Sequence, residues 1–102
     1  MLNKIELMGR FTADPEIRKA GEHNVCAFTI GVQRSRNRDK TDFIACKAWD
    51  GLADIVKQYF KKGDRIVVVG NLQNNSYSAQ DGSMRSLYEV EVESFEFVEK
   101  KQ

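Results

Sequence analysis

Two aromatic residues in one short apolar run, with a cation between them, carry the most specific chemical signal in the chain. The run is Thr41 to Trp49, and it contains Phe43, Lys47 and Trp49. Successive residues of a strand point to opposite faces, so Phe43, Ala45, Lys47 and Trp49 share one face and Ile44, Cys46 and Ala48 the other. The second set is small and apolar and suits an interior. The first places an ammonium between two large rings, a poor composition for a dry core. A ring left in water forgoes about 1.5–3 kcal/mol of burial, whereas a nucleobase stacked on it returns about 1–3 kcal/mol. Phe43 and Trp49 are six residues apart, about 20 Å along a strand, so each ring would serve a base of its own. Tyr77, at the end of a later strand-like run, places a third ring with a polar tip beside a hairpin.

Cations supply the complementary half of that chemistry. Arg34, Arg36, Arg38 and Lys40 stand against Asp39 alone between residues 34 and 40, an exposed basic loop able to follow a phosphate backbone. The formal net charge of the chain is only +1. Residues 1 to 85 nevertheless carry 14 Lys and Arg against 10 Asp and Glu, and residues 86 to 102 carry 2 against 5. The basic excess lies in the body of the chain.

The elements that position these groups are mostly strands. Asn3 to Gly9 alternates, with Ile5 and Leu7 on one side, and breaks at Ala13-Asp14-Pro15. Glu16 to Lys19 reads as a short extended piece, and Val25 to Arg34 has Cys26, Phe28, Ile30 and Val32 at a period of two. After Thr41 to Trp49, Asp50 offers an N-cap and Leu52, Ile55, Val56, Tyr59 and Phe60 recur at helical spacing, until Lys61, Lys62 and Gly63 stop the helix. Arg65 to Tyr77 and Arg85 to Phe97 flank a hairpin tip at Ala79 to Ser83. This order predicts an all-β fold, a five-stranded Greek-key barrel of the OB type with one helix between strands 3 and 4. At 102 residues and 41% apolar content, the chain suits one domain spanning 1–102.

Composition excludes several classes. No run approaches the roughly 18–20 apolar residues of a membrane span, and the N-terminus lacks the apolar run of a signal peptide, which predicts an intracellular, cytoplasmic protein. Cys26 and Cys46 are the only cysteines and lie in apolar runs, so they are expected as buried, reduced thiols. No metal site and no cofactor is expected.

Read together, these segments resemble the bacterial and phage single-stranded-DNA-binding proteins. The resemblance rests on Leu2-Asn3-Lys4-Ile5 with Gly9-Arg10, on Asp14-Pro15-Glu16-Ile17-Arg18, on Asp42-Phe43-Ile44 with Cys46 and Ala48-Trp49, on Tyr59-Phe60-Lys61-Lys62-Gly63, and on Gly70, Leu72 and Ser76-Tyr77. It implies an OB-fold that binds single-stranded DNA without acting chemically on it, assembled as a homotetramer, with a dimer as the alternative. It also implies base stacking at Phe43, Trp49 and Tyr77 and phosphate contacts at Lys4, Arg18, Lys61 and Lys62. The local charge pattern adds Arg34, Arg36 and Lys47. The family's basic residues before the last ring are here Gln73 and Asn75, and the chain stops at Gln102 without the family's Gly- and Pro-rich linker and acidic tip, a short form.

Two other classes compete. A nuclease needs clustered carboxylates, whereas Glu89, Glu91 and Glu93 alternate along one run in the manner of solvated sheet and His23 is a lone histidine at a turn. An assembly module of the same fold would use the aromatic face for a protein partner. Single-stranded RNA is a third candidate ligand, since its bases stack equally well.

Overall fold

Burial alternates along almost every strand, and that period of two folds the sheet around a single core. The computed structural model describes residues 1–78 and 80–98, without the side chains of residues 76–78, 85 and 86. Its elements are β1 (Ile5–Phe11), β2 (Glu16–Ala20), β3 (His23–Gln33), β4 (Thr41–Trp49), α1 (Gly51–Tyr59), β5 (Arg65–Ser78) and β6 (Met84–Phe97). The sheet runs β1-β5-β6-β4-β3-β2, and a further pairing of β1 with β3 closes it.

The short extended piece at residues 16–19 is thus a paired strand, and the sheet has six strands where five were expected. The barrel itself is unchanged, because β1 and β2 share one edge of β3. Arg10 and Phe11 pair with Gly31 and Ile30, while Glu16 to Ala20 pair with Ala27 to His23. Together they act as one long first strand broken at Pro15, which is fully buried and cannot donate to a ladder. Five barrel positions with α1 between the third and fourth, and a parallel β4–β6 pairing, make this an OB-fold.

Closure demands close backbone approach. A Cβ on Gly9 would stand 2.6 Å from the Gly31 carbonyl oxygen, so only glycine lets β1 cross β3 there. At the bulge between Val69 and Gly70, a Cβ on Gly70 would collide with the Glu91 carbonyl.

The core collects Cys26, Phe28 and Ile30 of β3, Cys46 and Ala48 of β4, Ile66 and Val68 of β5, and Val90 and Val92 of β6. Both cysteines are free and buried, and burial pushes the Cys46 thiol up to about 12. The helix plugs one end of the barrel with Ala53 and Val56. Phe60 follows them inward, its ring 5.1 Å from Phe11 and 5.0 Å from Phe97. Phe60 adopts an extended backbone, φ −119° and ψ 150°, so the helix ends at Tyr59, before the Lys61-Lys62-Gly63 stop read from the sequence. Ile55 and Tyr59 are exposed, and the buried stripe of the helix is narrower than its apolar spacing predicted.

Candidate nucleic-acid interface

The sheet of β2, β3 and β4 carries Arg18, Phe43, Lys47 and Trp49 of the residues singled out from the sequence. Burial along β4 falls on Cys46 and Ala48, while Phe43 faces outward, 69% exposed. Phe43 pairs across the ladder with Gly31. A Cβ on that glycine would meet the phenyl ring at 3.6 Å, so the ring lies over the bare backbone and is held at one edge. Beyond it opens a groove of 580 Å³ lined by Met8, Arg10, Gly31, Gln33, Thr41, Phe43 and Arg65 among others. Arg10 and Arg65 sit directly opposite each other in the β1–β5 register, which puts two guanidinium groups on the wall of this groove. The sequence assigns neither arginine a site role, because only strand register brings them to Phe43.

Trp49 ends β4 at the far end of the same face and is half-buried. It pairs with Val25, which in turn pairs with Arg18 of β2. Arg18 is exposed and stands two strands away, about 10 Å at the usual strand spacing. The ring of His23 meets the indole at a centroid distance of 6.5 Å and an interplanar angle of 82°. Asp50, the expected N-cap of α1, does stand at the N-cap position, but its side chain makes no cap hydrogen bond. Its carboxylate instead accepts from the Asn24 backbone N–H at 3.2 Å and lies 3.0 Å from His23 Nδ1.

Between the two rings, Lys47 reaches Glu89 of β6, Nζ to Oε1 3.2 Å, and Asn75 Nδ2 donates to the same oxygen at 2.5 Å. Glu89 is 5% exposed. The expectation that Glu89, Glu91 and Glu93 form a solvated row therefore fails at Glu89. The parallel β4–β6 pairing sets Glu89 opposite Ala45 and brings Lys47 over it, and the β5–β6 register brings Asn75. A buried carboxylate requires such partners, so the Lys47 charge already balances an acid on this face.

The remaining cations are spread around the barrel. Arg34 forms a forked pair with Asp42, with Nε to Oδ2 3.1 Å and Nη2 to Oδ1 3.0 Å. The hydrogen bond from Arg34 holds the Asp42 carboxyl below the ordinary carboxylate range, and Asp42 holds the guanidinium above its own. The basic loop is not slack: Arg34 N–H donates to the Lys40 carbonyl at 3.1 Å, and Lys40 N–H to that of Asn37 at 3.0 Å. Arg36 is exposed on this tip. Lys61 and Lys62 occupy a turn fastened to β1, where Lys62 N–H donates to Asp14 Oδ1 at 2.7 Å and Gly63 N–H to the Phe11 carbonyl at 2.9 Å. Arg10 Nη1 donates to the Gly63 carbonyl at 2.9 Å, which joins that turn to the groove beside Phe43. Lys4 is exposed just ahead of β1, next to Asn3, whose side chain bonds the Leu72 backbone in both directions. Tyr77 lies opposite Arg85 in the β5–β6 register, and its side chain lies outside the described residues.

The model of the single-strand binding protein family matches residues 2–98. The chain belongs to that family. It is 42% identical over 100 residues to a single-stranded DNA-binding protein of Clostridium perfringens, an alignment spanning 96% of this chain and 67% of the relative. Single-stranded DNA-binding protein 1 of Streptococcus pyogenes is 37% identical, with 99% of this chain and 82% of the relative covered. Single-stranded DNA-binding protein A of Bacillus subtilis is 38% identical, with 99% and 62% covered. This member of the single-strand binding family therefore corresponds to between about three fifths and four fifths of those three relatives. Among its described residues, no group of three or more His, Cys, Asp or Glu is arranged to hold a metal ion, and no helix is long and apolar enough to cross a membrane.

Proposed function

We propose that this protein binds single-stranded DNA with little regard to sequence, and that it holds and protects the strand during replication, recombination or repair without acting on it chemically. The observation that carries the reading is the outward Phe43 ring on the face opposite the core, in a chain of the single-strand binding family. Bases stack on Phe43, Trp49 and Tyr77, and Lys4, Arg18, Arg34, Arg36, Lys61 and Lys62 lie along the phosphate path. Lys47 joins that path as the positive member of a pair that keeps Glu89 from repelling phosphates. Arg10 and Arg65 extend the path into the groove next to Phe43. The names of the relatives favour DNA over RNA. The working form is a homotetramer acting in the bacterial cytoplasm.

Trp49 is the only tryptophan, so intrinsic fluorescence reports on one site. Titration with oligo(dT) is expected to quench it to a stoichiometric break, with oligo(U) competing weakly. Log affinity should fall linearly with log salt, by about 0.7 per phosphate neutralised. Mass in solution, with and without a long oligonucleotide, checks the tetramer. Unchanged emission and unchanged mass at micromolar DNA would overturn the reading in favour of a protein-docking face.

A further inference from the structure

The corner around Trp49 contains the only histidine of the chain, placed where the stacking chemistry alone does not require one. His23 opens β3, its ring nearly perpendicular to the indole at 6.5 Å. Its Nδ1 lies 3.0 Å from one oxygen of Asp50 and 3.3 Å from the other. The pair is not buried, with side-chain exposures of 64% for His23 and 56% for Asp50.

Asp50 is held there at a cost. It is the one non-glycine residue with positive φ among the described residues, at φ 53° and ψ −119°, a conformation that L side chains rarely adopt. Its carboxylate also forgoes the cap bond to the helix that this residue type ordinarily makes. What the distorted residue gains is a tie to β3. Its N–H donates to the Asn24 carbonyl at 2.8 Å, and its carboxylate receives the Asn24 N–H and faces His23. Asn24 Nδ2 in turn donates to Asp54 Oδ1 at 3.2 Å, so the start of α1 and the start of β3 form one network beneath the indole edge.

We infer that His23 is a positioning residue for Trp49 that makes strand binding pH-dependent, its imidazolium seated on Asp50 fixing the indole and adding a cation beside it. The inference rests on the stacking role proposed for Trp49. The charges around His23 agree with it. Asp50 faces the ring directly, Asp54 of α1 adds a carboxylate through Asn24, and Glu22 precedes it in the β2–β3 turn. The cations on neighbouring elements are Arg18 and Lys19 of β2, which pair with Val25 and Asn24, Lys57 of α1, and Lys47 of β4, which reaches Glu89. Asp50 Oδ2 lies 3.0 Å from Nδ1, so a protonated ring is seated directly against a carboxylate. With Nδ1 committed to Asp50, the positive charge is presented through Nε2 on the far side of the ring, toward the anionic backbone of a strand stacked on the indole. The sign follows: the protonated form binds better, so affinity rises as pH falls through the imidazole range.

The test is oligo(dT) affinity at pH 8 and pH 5.5, at fixed ionic strength, for the full chain and for His23→Gln and His23→Lys, together with Trp49 emission against pH without DNA. The wild-type protein is expected to bind about two- to fivefold more tightly at pH 5.5, the size of one solvent-exposed ion contact, with a salt slope steeper by about 0.7. His23→Gln should lose most of that ratio and the imidazole transition in emission. His23→Lys should bind alike at both pH values. If His23→Gln keeps the wild-type pH ratio and emission transition, the inference falls and the stacking reading stands. If oligo(dT) quenches no variant at either pH, the stacking reading falls and takes the inference with it.

Discussion

Phe43 and Trp49 lie on one face of one strand and are secured in opposite ways. Phe43 rests over a glycine and is 69% exposed, so the fold gains little from its ring and water touches most of it. Trp49 is half-buried, set against His23 and the network that joins β3 to α1. On the stacking role proposed above, a ring of the first kind serves ligand binding with almost no share in stability. A ring of the second kind contributes to both, because part of its area is already removed from water in the folded chain. The two ends of β4 therefore offer a way to separate binding from folding within a single strand.

The largest disturbance should come from between the rings, where neither end is touched. Lys47→Ala leaves the almost fully buried Glu89 without its ion-pair partner, with Asn75 still bonded to it. We expect a loss of about 2–3 kcal/mol in urea unfolding, and Glu89→Gln placed in the same chain should recover part of it. An unfolding midpoint that does not move in Lys47→Ala would mean that the pair contributes nothing to the fold and that Lys47 serves the ligand alone.

The rings themselves come next. Trp49→Ala should weaken oligo(dT) binding by about 1–3 kcal/mol, roughly 5- to 150-fold, and also lower stability by about 1–2 kcal/mol through lost burial. Phe43→Ala should weaken binding by a similar factor while shifting stability by less than about 0.5 kcal/mol, as exposed substitutions do. Binding of the Trp49 variant must be followed by a labelled oligonucleotide, since the intrinsic signal is gone. Equal stability losses in the two variants would erase the contrast between the two ends of the strand.

Much of this contrast is legible in the sequence, and the rest is absent for a physical reason. The period of two separates Cys46 and Ala48 from Phe43 and Lys47 because burial obeys the pleat, and the same logic places Cys26, Phe28 and Ile30 in the core. Contacts between distant strands leave no such trace. That Glu89 is buried follows from the parallel β4–β6 pairing, and that Arg10 and Arg65 share a groove with Phe43 follows from the β1–β5, β1–β3 and β3–β4 registers, which link Arg65, Arg10, Gly31 and Phe43 in turn; none of these alters the local pattern of charge and apolarity. Asp50 misleads in another way. Its type and position announce a helix cap, and only the proximity of His23 and Asn24 in space diverts its carboxylate. The end of α1 is missed similarly, since Phe60 continues the helical spacing but turns into the barrel to meet Phe11.

The smallest expected effect lies beside Phe43, at the forked pair of Arg34 with Asp42. Both side chains are about half exposed, so the pair adds little to stability. Its trace should still be visible in acid. The folded carboxyl of Asp42 titrates below its unfolded value, so its contribution is complete above the ordinary carboxylate range and is lost as pH falls through the lowered folded value. Asp42→Asn should therefore lower stability slightly near neutral pH and leave it unchanged once pH has fallen below the lowered folded value, so that this small step vanishes from the stability–pH profile. For binding the sign is reversed: releasing Arg34 from Asp42 frees a guanidinium for phosphate, so Asp42→Asn should tighten oligo(dT) binding slightly and steepen its salt dependence. The effect should be confined to the Phe43 end, leaving the pH response attributed to His23 unchanged. Weaker DNA binding in Asp42→Asn would show instead that Asp42 orients Arg34 toward the strand, making the pair part of the interface and not a restraint on it.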